Sequence, residues 1–155
     1  MYRVSVYLLL LVMTAAGGMA EGDGGPDVRR LDGIIQGFRA ELGISVQVLA
    51  SIVEEDQYLV SVRRSPTAQD TFVIQFEENF LGRLSEEEVR AVIAHELGHV
   101  WIFTHHPYLQ TEALANQKAL AVVRRGNLVR VYEKVWRRGG QKGSLEDFLA
   151  KVDQK

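Results

Sequence analysis

Apolar residues recur at helical spacing near the start of the chain. Five of them would share one face of a helix over residues 27–42, and Gly43 directly after this range suits a helix C-cap. The five are Leu31, Ile34, Ile35, Phe38 and Leu42. The pattern therefore predicts an amphipathic helix ahead of the rest of the fold.

Runs of β-branched and aromatic residues replace the helical pattern after this helix. They cover residues 44–52, 58–62 and 71–76, with polar and turn-forming residues between them. Such runs are typical of strands. We expect three strands here, paired in a small antiparallel sheet.

A strong helix-start signal follows at Ser85. Ser85 and Glu88 have the spacing of a capping box, and the acidic residues of the first turn interact favourably with the helix dipole. An apolar face follows, made of Val89, Val92, Ile93 and Leu97. The sequence therefore predicts a helix that begins at Ser85 and continues through the segment HELGH at residues 95–99.

Pro107 interrupts this helix, because proline disrupts a helix interior and restricts the residue before it. A turn is expected near residues 105–108, followed by a second helix over about residues 110–125 that packs against the first. Two further helices are predicted, over residues 128–136 and 144–152, and several glycines lie between them. The elements together predict an α+β fold in which residues 21–155 form a single domain.

The first twenty residues have the pattern of a targeting segment. Arg3 precedes a Val/Leu-rich run that extends through Ala16, and Ala20 fits a cleavage site. Residues 1–20 are therefore predicted to be a signal peptide, which implies a secreted protein or one of the periplasm or cell envelope. The alternative is an uncleaved segment that tethers the protein to a membrane.

Composition excludes several classes of function. The chain has no cysteine, which excludes disulfides, thiol catalysis and lipoprotein modification. Its formal net charge of −2 gives no electrostatic case for nucleic acid. Nothing in the sequence indicates an oligomer.

The segment HELGH carries the clearest chemical signal. His95 and His99 lie four residues apart, which on a helix is about 40° around the axis and about 6 Å along it, so both imidazoles can reach one zinc ion. Glu96 would flank the open coordination position, where it could take a proton from water. The five-residue pattern also arises by chance, so its surroundings must decide between these interpretations.

Glu112 is the candidate for the third zinc ligand. Antiparallel packing of the two predicted helices would bring it near the histidine pair, and Asn116 lies on the same helical face, four residues further on. Asn116 could then hydrogen-bond a ligating histidine and fix its orientation. The alternative is a solvated polar stripe on an otherwise apolar helix.

These residues resemble those of gluzincin-type zinc metallopeptidases, in particular the M48 family. The segment LGRLSEEEVRAVIAHELGHV at residues 81–100 is similar to that family's active-site helix, and Glu112, Ala115 and Asn116 match its later E-x-x-A-D pattern. Asn in place of Asp also resembles the E-x-x-A-N form of ImmA/IrrE-like metallopeptidases. The resemblance implies a minimal zincin-like domain with Zn²⁺ on His95, His99 and Glu112. It also implies Glu96 as catalytic base and acid, and Asn116 as a supporting residue.

The same resemblance suggests a peptide-binding edge. In gluzincins a strand before the motif helix forms the sheet edge along which an extended peptide lies, and residues 71–76 resemble it by position. An ordinary core strand is the alternative. Peptide or protein substrates are therefore expected, with a non-catalytic zinc-binding or protein-interaction domain on the same scaffold as the rival interpretation.

Three residues after the motif helix have two open interpretations. His105, His106 and Tyr108 could donate hydrogen bonds to the oxyanion that forms when water attacks a peptide carbonyl. Alternatively, the histidines cap the helix end, where partly cationic imidazole is favoured.

Overall fold

The computed structural model describes residues 25–139 together with residues 144, 146, 147, 149 and 150. The predicted signal peptide lies outside these residues. Within the described part of the chain, no helix has the length and apolar character needed to cross a membrane.

The order of elements in the described residues confirms an α+β fold. The elements are α1 (Pro26–Glu41), β1 (Gln47–Val53), β2 (Val60–Arg64), β3 (Thr71–Glu77), α2 (Glu78–Leu81), α3 (Glu86–His105), a 3-10 turn (Pro107–Leu109), α4 (Glu112–Ala119) and α5 (Arg125–Gly139). The helix predicted over residues 110–125 is shorter than expected. It ends at Ala119 because the chain turns over residues 120–124 and begins α5 at Arg125.

The last predicted helix is only partly within the described residues. Residues 146, 147, 149 and 150 are helical, and the Ser144 hydroxyl accepts a hydrogen bond from the Asp147 N–H at 3.1 Å. This is the contact expected of a helix N-cap.

The sheet is mixed, so the prediction of an antiparallel sheet was wrong for one of its two pairs. The strand order is β1-β3-β2, with β1 parallel to β3 and β2 antiparallel to β3. Every residue of β3 is buried or half-buried, which suits the central position. Because β3 lies between the two earlier strands, which run in opposite directions, it must be parallel to one of them.

The central position of β3 also overturns the prediction that residues 71–76 form a peptide-binding edge. The core-strand alternative is correct, and the edges of the sheet are β1 and β2. Side chains of α1 cover the β1 edge: Asp32 Oδ1 accepts from the Ala50 N–H at 2.7 Å, and Gln36 Nε2 donates to the Val48 carbonyl at 3.0 Å. The edge at β1 is therefore closed.

The edge at β2 pairs with no further strand among the described residues, although Val62 on this edge is only 2% exposed and Arg64 alone of its outward-facing residues is exposed. Ser65 N–H donates to the Thr71 carbonyl at 2.7 Å, so Ser65 and every second residue before it bond to β3. Because the bonding direction alternates along such a ladder, Val62 and Arg64 turn their backbone groups away from β3. No further strand lies beyond β2 in the described part of the chain.

Helix α3 is the centre of the fold. It packs against β2, β3, α1, α4 and α5 and is buried along most of its length. The predicted capping box is confirmed: Ser85 Oγ accepts from the Glu88 N–H at 3.3 Å, and Glu88 Oε2 accepts from the Ser85 N–H at 2.7 Å. The start of α3 is thereby fixed.

Glu88 also pairs with α5, and this pairing predicts a pH-dependent effect on stability. Glu88 Oε2 accepts from Lys134 Nζ at 2.6 Å, and Arg130 Nε lies 3.7 Å from Glu88 Oε1. Burial alone would raise the pKa of Glu88, but the bonds from Lys134 and Ser85 lower the pKa on balance below its ordinary value of 4.5. The charged pairing therefore contributes stability above pH 4.5, and this contribution is lost as the pH falls through the lowered pKa.

We expect Glu88→Gln to lower the free energy of unfolding by about 1.5 kcal/mol at pH 7, since a charge-assisted bond becomes a neutral one. At a pH below the lowered pKa of wild-type Glu88 the deficit should be smaller, because the wild-type side chain is then protonated as well. Urea unfolding at both pH values measures it, with the exposed Glu41→Gln as control. An equal deficit at both pH values would contradict the assignment.

Candidate metal centre

Two buried histidines converge on one face of α3. His95 and His99 are four residues apart, and their Nε2 atoms lie 3.2 Å from each other. Their rings are nearly perpendicular, with an interplanar angle of 84°. The i, i+4 spacing therefore brings the two ring nitrogens to one point, as expected from helix geometry.

Glu112 completes the group from the first turn of α4. Thr111 caps this helix by accepting a hydrogen bond from the Leu114 N–H at 3.1 Å. Glu112 Oε2 then lies 3.3 Å from His95 Nε2, and Glu112 Oε1 lies 3.5 Å from His99 Nε2. The ligand atoms of the three residues all lie within 4.8 Å of one another, a group that could hold a metal ion.

A close contact between α3 and α4 makes this convergence possible. A Cβ atom at Gly98 would lie 2.5 Å from the carbonyl oxygen of Ala115 and 2.9 Å from its Cα. Real Cβ atoms essentially never come this close to backbone atoms. Only glycine therefore allows the two helices to approach so closely at the level of the three candidate ligands.

The outer nitrogens of both histidines face amide oxygens. His95 Nδ1 lies 2.7 Å from Asn116 Oδ1, and His99 Nδ1 lies 3.1 Å from Gln110 Oε1. An amide oxygen only accepts hydrogen bonds, so each Nδ1 carries a proton. A neutral imidazole protonated at Nδ1 has its lone pair on Nε2, and here both Nε2 atoms face each other and the Glu112 carboxylate.

This donor set fits zinc. Ligand atoms about 2.0–2.1 Å from a tetrahedral zinc ion lie roughly 3.3 Å from one another. The two Nε2 atoms lie 3.2 Å apart, and each faces a different oxygen of Glu112, at 3.3 and 3.5 Å, so the separations are close to that spacing. Two histidine nitrogens and one carboxylate are also a common zinc set, with the fourth position open.

Tyr132 connects the three helices that form the site. Its hydroxyl lies 3.5 Å from Glu112 Oε2, accepts from Asn116 Nδ2 at 2.7 Å, and lies 3.1 Å from Asn116 Oδ1. Its ring also packs edge-on against His95, with the ring centroids 6.0 Å apart. Burial, followed by the Glu112 charge, raises the pKa of Tyr132, so the hydroxyl stays protonated and can donate.

Glu96 lies beside the triad and is almost completely buried. Its side chain is 1% exposed, and its Oε1 atom has no hydrogen-bond partner among the described residues. Burial raises the pKa of Glu96, although the neighbouring His95 and His99 act in the opposite direction. A buried polar atom without a partner is rare in folded proteins and is often explained by function.

The electrostatics of the triad favour a cation. Burial alone would raise the pKa of Glu112, but the neighbouring His95 and His99 side chains, when they carry a proton on Nε2, lower it to about 2. Burial would likewise lower the pKa of His99, but the Glu112 carboxylate raises it on balance. The same negative field that stabilises a proton at this point would stabilise a metal cation.

The three residues suggested as oxyanion donors lie at the exposed end of α3. His105 stacks on Trp101 with the ring centroids 4.3 Å apart, and its Nδ1 lies 2.9 Å from the Trp101 carbonyl oxygen. His106 is the C-cap of α3, and Tyr108 is 99% exposed. Among the described residues no hydrogen bond or ring contact joins these three to the triad, and their role in oxyanion binding stays a prediction.

Gln110 and Tyr132 are parts of the site that the sequence did not reveal. Gln110 precedes Glu112 by two residues. Because a metal-binding histidine usually donates its outer N–H to an acceptor, a search for the partner of His99 could have found it. Tyr132 lies sixteen residues after Asn116, on another helix, and no motif marks it. Both contacts depend on how the helices pack.

Comparison with known proteins adds one match. The model of peptidase family M48 matches residues 46–150, from β1 through the helices of the site to the last described residue. The comparisons with curated proteins and with solved structures gave no match.

Proposed function

Because the chain belongs to peptidase family M48, we propose that it is a zinc metallopeptidase whose metal ligands are His95, His99 and Glu112. Peptidases of this family are zinc-dependent. The observation that carries the proposal is the convergence of two imidazole nitrogens and one carboxylate, whose facing atoms lie 3.2–3.5 Å apart, a donor set that zinc binds.

Bound zinc supplies a Lewis acid that makes a water molecule more acidic and polarises a substrate carbonyl. Glu96 takes the proton from the attacking water and later returns it to the leaving amine. Its unpartnered Oε1 leaves an acceptor available for that proton. Asn116 and Tyr132 orient His95 and Glu112 through their hydrogen bonds, so that the ligands need not reorganise.

The unpaired edge at β2 supports a peptide substrate. Arg64, at the exposed end of β2, presents its backbone groups away from β3, and an extended peptide could pair with it as an added strand. Strand β2 also packs against α3, and Asp56, in the turn before β2, contributes to the electrostatic field at Glu96. This edge therefore takes the place of the one first assigned to residues 71–76.

The predicted signal peptide over residues 1–20 extends the proposal to location. The enzyme would act outside the cytoplasm, as a secreted protein or in the periplasm or cell envelope. If residues 1–20 are not cleaved, this segment would tether the protein to a membrane. Mass spectrometry of the protein recovered from the membrane fraction and from the soluble fraction distinguishes the uncleaved chain from the chain without residues 1–20.

Metal analysis of the purified chain tests the proposed site. We expect one zinc per chain in wild type and far less in His99→Ala and Glu112→Ala, because each variant removes one of three ligands. Glu41→Ala, an exposed glutamate at the end of α1, serves as control and should keep its zinc. Wild-type protein that binds no zinc would contradict the proposal.

Hydrolysis of a peptide library by the same wild-type preparation tests the reaction. Cleavage that a chelator abolishes and zinc restores supports a peptidase. Stoichiometric zinc with no cleaved peptide would instead support the rival function, a non-catalytic zinc-binding or protein-interaction domain.

A further inference from the structure

Gln110 holds His99 by two hydrogen bonds at once. Its Oε1 faces His99 Nδ1 at 3.1 Å, and its Nε2 donates to the backbone carbonyl of the same histidine, also at 3.1 Å. We propose that Gln110 is a positioning residue of the metal site, which fixes the tautomer and orientation of His99. The proposal rests on the proposed function, since it assumes that the triad holds zinc.

The two bonds determine each other. The His99 carbonyl can only accept, so the amide nitrogen of Gln110 must face it and the amide oxygen must face Nδ1. The His99 ring is therefore held as the Nδ1–H tautomer. Its Nε2 lone pair then points at His95 Nε2 and the Glu112 carboxylate, where a metal ligand is needed.

The position of Gln110 in the chain adds a second effect. It follows the 3-10 turn Pro107–Leu109, has an extended backbone (φ −63°, ψ 102°) and stands directly before Thr111, the N-cap of α4. Because it is bonded to the backbone as well as to the ring of His99, it ties the entry of α4 to α3. The same side chain thus helps to set the separation between His99 and Glu112, two residues further on.

The two histidines are supported in different ways. Asn116, which faces His95, is itself held by Tyr132 from α5. Among the described residues, the side chain of Gln110 makes hydrogen bonds only with His99. Loss of Gln110 should therefore disturb His99 and leave the network of Asn116, Tyr132 and His95 in place.

The test compares zinc affinity in Gln110→Ala and Gln117→Ala, measured by chelator competition on the full chain. Loss of a hydrogen-bond partner to a metal-binding histidine typically weakens metal affinity about 10–100-fold. We expect a loss of about that size for Gln110→Ala. Gln117 is an exposed glutamine on α4, and its variant should stay within about twofold of wild type.

A second readout follows the tautomer directly. In metal-free wild type, at a pH where His99 is neutral, long-range ¹H–¹⁵N spectra of the histidine side chains should show His99 as the Nδ1–H form, and Gln110→Ala should show a mixture of tautomers. Gln110→Glu keeps the acceptor at Nδ1 and should therefore retain the wild-type tautomer and more of the zinc affinity than the alanine variant. This variant also carries the test if Gln110→Ala does not fold.

The outcomes separate this proposal from the proposed function. Wild type that binds no zinc overturns both. Wild type that binds zinc, with Gln110→Ala equal to it in affinity and in the His99 tautomer, overturns the positioning role alone. A folded Gln110→Glu that loses as much affinity as the alanine variant also overturns it.

Discussion

Glu96→Gln is expected to reduce peptide hydrolysis by about 10²–10⁴-fold while leaving zinc bound. Glutamine has nearly the same shape as glutamate, but its amide cannot take a proton from water at neutral pH. Glu96 is buried beside the triad without being one of its three candidate ligands, so its replacement leaves the donor set unchanged. The rate constant kcat/KM and the zinc content of the same preparation measure the two expectations.

The matched control is Glu78→Gln, at an exposed glutamate of α2 that makes no hydrogen bond with the triad. It should hydrolyse peptides at the wild-type rate. Activity of Glu96→Gln within about threefold of wild type would exclude general-base catalysis by this residue. Lost activity together with lost zinc would instead make Glu96 a structural support of the metal site.

Gly98→Ala is expected to destabilise the protein by about 2 kcal/mol net and to reduce its zinc content. Alanine has a higher helix propensity than glycine by about 1 kcal/mol, so local preference alone would stabilise α3. The added Cβ would meet the Ala115 backbone oxygen at 2.5 Å, and a backbone atom cannot move away as a side chain can. The cost of overpacking, typically about 1–3 kcal/mol and occasionally more, should therefore exceed the gain.

Gly37→Ala provides a control with the same chemical change in another helix. Gly37 lies on the exposed face of α1, and a Cβ there would meet no atom within 4 Å. This variant should be more stable than wild type by about 0.5–1 kcal/mol. Urea unfolding and zinc analysis of both variants provide the measurements, and a Gly98→Ala protein as stable as Gly37→Ala would refute the close helix contact.

Local features of the sequence were enough to predict α3 and its histidine pair. The capping box joins residues three apart, and the candidate ligands His95 and His99 are four apart. Interactions over such short separations depend on helix geometry alone. Their arrangement therefore follows as soon as the segment is helical.

Glu112 needed one further assumption, that the chain doubles back after Pro107. The structure confirms that α4 returns against α3 and brings Glu112 to both histidines. Asn116 followed from the same assumption, because it lies one turn beyond Glu112. Gln110 did not follow, since its two bonds depend on the path of the chain between the helices.

The three strands were predicted from the sequence, but the order and direction in which they pair were not. An apolar and polar alternation shows which residues share a face, and it is the same whichever way the adjacent strand runs. Whether a strand is central or at an edge depends on what covers it. Here α1 covers β1, and β3 lies between the other two strands.

The sequence by itself determined the capped start of α3 and the candidate ligands His95 and His99, because these depend on spacings of a few residues, and it indicated Glu112 once the chain is assumed to double back. Only the tertiary structure decided the mixed sheet and which strands form its edges. It also decided the contact at Gly98 and the support of the ligands by Gln110 and Tyr132. These features join residues that are distant in sequence or held by an irregular link, and their positions follow from how the whole core packs.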